Sequence, residues 1–475
     1  MKSTYLKLAL SLVVIIFSFS ANSQIELKNK LLDFNTLLPV ESANIYIKGT
    51  TIGTISNVDG RFVLNVPNQH ATDTLVISSI GYKTFKTQVN EFNDSEEIYL
   101  EEEIASLDEI LLVAEPRPTT GNEIVLKALE KLAINMPDST YLQKGFIRHK
   151  ERNNLEFKWL IESAITVYDS GFAAKSSDYL KVNVDQVRKS YDLRDVDSLL
   201  SYVAYNNYYA KHNRFKIKDI DRNNVSTDQL VKAIKWNDTR VNGLENLFHG
   251  KLNLFRNSSN KNALFGEHIL KKHQFKLDTI LVDNERKLYK IKISESEEYV
   301  GLNTKGIYNE GYTADGWLYI YYDNYAIKKV EYNLSAASSA QKSRSKTLFG
   351  TQTNHKLILT YMEYEDKMYP NYIYYETPKL VNVGLKTDEK VTKEEEERYN
   401  KEERYYYTVQ EILFTEIILD KDVVKQASEL KWDSDIFASK PYNKTFWNNY
   451  NVLLESEEDE KLIQDLTKRA ILYKE

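Results

Sequence analysis

Apolar residues recur at every second position through much of this chain, and the cleanest case is short. In Arg61 to Val66, Phe62, Leu64 and Val66 alternate with Arg61, Val63 and Asn65. A period of two places alternate side chains on opposite faces of a strand. Similar runs cover Val40 to Lys48, Thr74 to Ser78, Tyr82 to Val89, Ile98 to Leu100 and Ile110 to Val113, with turn residues at Asn57 to Gly60, Pro67 to Asp73 and Gly81. Short, regularly spaced strands with no helical period predict a β-sandwich over residues 24–114. Ala114-Glu115-Pro116-Arg117-Pro118 opens a linker, 115–121, because each proline biases its predecessor toward extended structure.

Beyond the linker the period changes. Ile124, Leu126, Ala128, Leu129, Leu132 and Ala133 follow helical spacing, with Asn122 as the expected N-cap and Pro137 past the end. Strands are predicted at Tyr141 to Arg148, Lys158 to Tyr168, Phe275 to Ile280 and Leu288 to Ile293. The polar stretch from about 184 to 254 reads as a helical insertion. Trp317 to Tyr322 and Tyr325 to Tyr332 form a hairpin turning at Asp323-Asn324, two residues that tolerate left-handed backbone. Leu357 to Tyr364, Tyr369 to Glu376, Val381 to Leu385 and Tyr405 to Phe414 extend the sheet. The charged run Lys386 to Arg404 reads as a solvated loop or surface helix, and Asp459 to Leu472 as a closing helix. The fold class is therefore mainly β with α. An N-terminal β-sandwich precedes a larger α+β domain, 122–475, built on a curved antiparallel sheet.

Composition adds the compartment. Lys2 and Lys7, an apolar run from Leu8 to Phe19 and Ala21-Asn22-Ser23 have the three regions of a secretory signal, 1–23. The run is too short for a membrane helix, and Glu363, Glu365, Asp366, Lys328 and Lys329 interrupt the tyrosine-rich strands, so no transmembrane span is expected in the remaining 452 residues (475 minus 23). Net charge is −6, with acidic and basic residues interspersed, which argues against nucleic acid as a partner. The absence of cysteine removes disulfides, a lipid-anchoring thiol and thiolate metal sites. Tyrosine is abundant, 34 residues against 18 phenylalanines; its ring packs on a sheet while its hydroxyl stays hydrogen-bonded, so the excess points to half-wet sheet surfaces.

The run "PVESANIYIKGTTIGTISNVDGRFVLNVP", followed by "DTLVISSIGYKTFKTQV" and "LDEILLVAEP", resembles the carboxypeptidase-regulatory-like domain of Bacteroidetes envelope proteins. It is also similar to the N-terminal extension of TonB-dependent receptors. The resemblance covers about Ile25 to Val113 and implies a seven-stranded, transthyretin-like sandwich that is a non-catalytic accessory module. "ADGWLYIYYDNYAIKKVEYNLS" and "KPYNKTFWNNYNVLLESEEDEKLIQDL" look similar to the C-terminal part of a poorly characterised Bacteroidetes family with the same first domain. The sheet-rich region resembles in architecture the half-barrel of periplasmic lipoprotein-sorting carriers.

Catalytic chemistry finds little purchase. Gly49, Gly53 and Gly60 carry no phosphate-loop string, and a strand follows Gly60. There is no His-Glu-x-x-His; His268 and His273, five residues apart beside Glu267, share no face of a helix or strand and read as a wet surface patch, so no metal and no cofactor are expected. Ser-x-x-Lys occurs at Ser258, Ser339, Ser343 and Ser428 without its companion signatures, and "SAASSAQKSRSK" reads as a flexible loop. The chain is thus expected to be a non-enzyme that binds or scaffolds at the periplasmic face of the outer membrane, with another envelope protein as partner. The alternatives are a periplasmic carrier of lipid or another apolar ligand, and a hydrolase whose site the sequence does not reveal. A carrier's groove is expected on the face shared by Trp317, Tyr319 and Tyr321, opposite Leu318, Ile320 and Tyr322.

Overall fold

A computed structural model describes residues 24–103, 117–152, 157–174, 180–191, 255, 265, 268–301, 310–349, 352, 354–380, 405–437 and 440–469. The expected signal segment, the strand at Ile110 to Val113, most of the 184–254 insertion, Val381 to Leu385 and the charged run to Arg404 lie outside them.

Seven strands build the N-terminal unit: β1 (Gln24–Asp33), β2 (Asn44–Ile47), β3 (Gly53–Ile55), β4 (Arg61–Pro67), β5 (Thr74–Ser78), β6 (Phe85–Gln88) and β7 (Ile98–Leu100). They form a β4-β1-β7 sheet and a β3-β2-β5-β6 sheet, with Leu31, Ile45, Ile47, Phe62, Leu64, Leu75 and Ile77 in the core between them. The count matches the expectation, but two strands are additional to those read from the sequence. The polar Lys28-Asn29-Lys30 hides the alternation of β1, and β3 is three residues long. In β4 the alternation of buried and half-buried residues is unbroken. At the turn before it Gly60 has φ +74°, and a Cβ there would stand 2.3 Å from the Leu31 carbonyl oxygen, so only glycine fits.

The second unit carries β8 (Tyr141–Arg152), β9 (Phe157–Asp169), β10 (Leu180–Tyr191), β11 (His273–Asp283), β12 (Arg286–Glu295), β13 (Val300–Gly301), β14 (Glu310–Tyr321), β15 (Ile327–Ala336), β16 (Asn354–Tyr364), β17 (Lys367–Leu380) and β18 (Tyr405–Ile418). The sheet runs β10-β9-β8-β18-β17-β16-β15-β14-β12-β11, with β13 beside β14, and its pairs are antiparallel. It curls. Leu180 of β10 and Tyr361 of β16 line one cavity of about 60 Å³, although five strand steps in a flat sheet would separate them by about 24 Å. That inner face is largely apolar, and Ile147, Ile161, Leu359, Ile373 and Ile412 pack there with Ile124, Ala128 and Leu132 of the helix Gly121–Asn135.

Several local expectations are corrected. Thr120, not Asn122, caps that helix in a capping box with Glu123; Asn122 instead accepts a hydrogen bond from the Phe275 backbone, tying the helix to β11. The hairpin does turn around Asp323-Asn324, but its left-handed residue is Tyr325, φ +59°, in a wider loop closed by Tyr321 and Ala326. Val184 to Tyr191, read as helical, belongs to β10; a bulge between Val184 and Gln186 shifts its phase by one residue. The polar segment after β15 is the helix Ser339–Phe349 rather than a loop. His273 lies in no wet patch: it is buried, hydrogen-bonded to the Ile269 carbonyl at 3.0 Å and the Tyr332 hydroxyl at 2.7 Å, and stacked on Phe265.

Candidate functional site

The outer face of the curled sheet carries a cross-strand row of charges. Arg188 of β10 pairs in register with Glu162 of β9, Glu162 with Arg148 of β8, and Arg148 with Glu411 of β18. The signs alternate, so each charge faces its opposite. Arg188 and Arg148 approach Glu162 at 2.6 and 2.9 Å, and Lys150 reaches Glu411 at 3.1 Å. The chain's C-terminal segment then covers the row. Glu455 lies 2.6 Å from Arg148, and Asp459, in the helix Glu457–Arg469, pairs with Lys150 at 2.5 Å and with Arg152.

Burial competes with the neighbouring charges over the protonation of this cluster. It pushes the Glu455 carboxyl up to about 7 against the pull of Arg148 and Lys150, with Glu162 and Glu411 adding to the rise. Burial also opposes the charge of Lys150, but Glu411, Glu455 and Asp459 outweigh it and hold that ammonium above the usual lysine value. Asp459 shows the same balance with opposite sign, held below the usual carboxylate range by Lys150 and Arg152 despite its burial. Deleting one partner of such a buried set leaves an uncompensated charge, at about 3–5 kcal/mol.

The sandwich rests on the same outer face. Ile55 packs with Phe146, Tyr372, Leu413 and Trp447, and the Gly81 amide donates to the Val282 carbonyl at 2.7 Å. Three β-bulges mark the seam: Thr415 in β18, Asn371 in β17 and Lys328 in β15 are each the extra residue of their pair. A bulge re-aims a side chain and bends the strand. Asn371 donates to Asn44 of β2 at 2.8 Å, while beside Thr415 the Ile417 amide donates to the Thr51 hydroxyl at 3.2 Å. The turn before β4 grips the C-terminal segment. Asn57 and Arg61 donate to the Glu455 carbonyl at 2.7 and 3.0 Å, and Asp59 accepts from the Glu457 amide at 2.7 Å.

Three cavities open along this seam. One of about 370 Å³ holds Arg148, Lys150, Glu411 and Glu455 with Tyr372 and Tyr374. A second, about 140 Å³, lies between Asn44, Tyr46, Asp283 and Tyr321. The third, about 300 Å³, is walled by Pro39 to Ser42 on one side and by Lys290, Tyr319, Lys328 and Lys329 on the other.

The three residues expected to line a groove share this outer face but not one pocket. Trp317 is half-buried, with the Lys290 and Lys292 ammonium groups 4.2 and 4.7 Å from its ring centroid. Tyr319 lines the cavity of about 300 Å³. Tyr321 is buried, donating to Asp283 at 2.9 Å beneath the Arg286 guanidinium. Among the described residues no group of three or more His, Asp or Glu is disposed to hold a metal ion. Ser339 and Ser343 sit in a helix, and the Ser428 hydroxyl donates to the Lys425 carbonyl. The ionic row escaped the sequence reading, although Arg148, Lys150 and Arg152 at alternate positions of one strand signal a charged face.

Residues 30–112 match the family described as the CarboxypepD_reg-like domain; the sandwich is a carboxypeptidase-regulatory-like domain. Among curated proteins no match was found. A solved structure from Bacteroides fragilis NCTC 9343, provisionally membrane-associated and of unknown function, aligns at 8% identity over 83% of this chain and 96% of its own, with a TM-score of 0.13. So low a score carries no argument about function. Among the described residues no helix is long and apolar enough to cross a membrane.

Proposed function

We propose that this chain is a secreted, non-enzymatic envelope protein that binds or scaffolds at the periplasmic face of the outer membrane. The observation that carries the reading is the mounting of its accessory domain. The carboxypeptidase-regulatory-like sandwich is fixed on the outer face of the sheet through bulges and a clasped C-terminal segment, while Phe34, Leu37 and Leu38, on the turn that leads to Pro39, remain exposed. A module so held presents its free surface in a fixed orientation, as a scaffold requires. The sheet edges fit this role less well. Among the described residues the β10 backbone bonds to Asp433, and β11 is met by Asn122 and Gly81, so part of each edge of the large sheet is already engaged against strand addition. Fractionation of the source cells with a carbonate wash tests the proposal. Peripheral protein released by the wash is the expected result; a cytoplasmic pool, or protein retained in the pellet, contradicts it.

The carrier reading keeps one specific support. Tyr319 lines a cavity of about 300 Å³, at the lower end of small-molecule pockets, whereas the cavity described on the apolar inner face, about 60 Å³, has room for little more than water.

A further inference from the structure

We propose that the cavity of about 300 Å³ at the seam binds the phosphate-bearing headgroup of an anionic amphiphile through the ammonium groups of Lys290, Lys328 and Lys329. This deepens the envelope reading above and rests on it.

Lys328 is the central observation. It is the extra residue of the β15 bulge and only 8% exposed. Its ammonium stands 3.6 Å from Asp283, and that of Lys290 3.9 Å from Asp278. These separations give Coulombic attraction but are too long for hydrogen bonds. No hydrogen bond to a described residue holds the Lys328 ammonium, and its nitrogen is not sealed from the cavity it lines, so its donors are open to a ligand there. A phosphate supplies several acceptor oxygens at once, and lysine meets it as a point charge. Lys329 stands beside Glu331 at 2.7 Å and adds a third ammonium to the same wall, where Glu41 is the one carboxylate among the lining residues.

The opposite wall selects an amphiphile over a free anion. Pro39, Val40 and Ile80 on that wall are apolar, as is Leu281 of β11 facing them, and the chain entering at Pro39 comes from the turn of Phe34, Leu37 and Leu38, exposed at 56, 62 and 63%. That turn is built, not loose. Asp33 accepts from the Asn35 and Thr36 amides at 3.0 and 2.6 Å and from the Tyr82 hydroxyl at 3.0 Å, which fixes Leu37 at φ +59°. Three large apolar side chains held in water beside a lysine-walled cavity suit a lipid surface.

The full chain is tested by co-sedimentation with phosphatidylglycerol vesicles and pure phosphatidylcholine vesicles, and by calorimetric titration with inorganic phosphate. Binding to the phosphatidylglycerol vesicles is expected, weakened about tenfold or more by Lys328→Met and by Lys290→Gln, and by Leu37→Asn with Leu38→Ser. Lys290 is half-buried, so Lys290→Gln keeps the test valid if Lys328→Met fails to fold. Phosphate binding without vesicle binding overturns the amphiphile. Vesicle binding unchanged by either lysine variant overturns the site. A chain that meets neither probe yet fractionates with the envelope removes this inference and leaves the scaffold reading standing.

Discussion

Glu455 and His273 are buried titratable residues that pull stability in opposite directions with pH. The folded state raises Glu455 from 4.5 to about 7, so the native protein holds a proton that the unfolded chain releases, and this contribution to stability is lost as pH rises from about 4.5 to 7. Burial lowers His273 from 6.5 to about 4, the Ile269 carbonyl opposing and Lys272 assisting. The unfolded chain binds that proton first, so its contribution is present above 6.5 and is lost as pH falls toward 4. Each effect has an upper size of about 3 kcal/mol. In melting temperatures taken from pH 4 to 8, Glu455→Gln should flatten the decline toward neutral pH and His273→Phe the decline toward acid. Unchanged slopes would contradict the protonation states assigned here. Neither residue's role was legible in the sequence, because burial of an isolated charge depends on a segment some 300 residues away, as with Arg148 and Glu455.

At the scale of elements, alternation was read well wherever the period ran unbroken, as in β4, and the chain's bulges account for much of what was missed. Asp185 interrupts β10 so that Val182 and Val184 are followed by Val187, and a period-two reading fails there. Lys328 and Asn371 look like ordinary strand positions until pairing shows them to be the extra residues of bulges. Which face of the Trp317 strand is dry was equally hidden, since both faces are covered, by apolar packing inside and by the sandwich outside. Two substitutions separate these surroundings. Trp447 is 4% exposed, edge-on to Phe146 with the Arg188 guanidinium over its ring, and Trp447→Ala should cost about 3–5 kcal/mol. Trp317→Ala, on a half-buried ring between two lysines, should cost less than half of that. Chemical denaturation gives both values, and equal losses would place Trp317 in the core. Thr120→Ala, which removes the capping box, should cost about 1 kcal/mol.

At the scale of the molecule, the carboxypeptidase-regulatory-like domain was the most legible part, because its motifs, its turn glycine and its alternation agree. Its position was not. The seam joins Asn57 to Glu455 and Asn44 to Asn371, contacts with no local signature. The sandwich has a complete core of its own, so residues 24–113 expressed alone should melt cooperatively with a β spectrum. On the proposed scaffold reading, the exposed turn of Phe34, Leu37 and Leu38 beside the seam faces the protein's target. The most direct test places a photo-crosslinking residue at Leu38, exposed on that turn, and in a second protein at Leu430, exposed at 67% beyond the helix Lys421–Ser428. In intact source envelopes, light should attach envelope protein or lipid to position 38 and not to position 430. Equal labelling of the two, or none at position 38, would contradict the account.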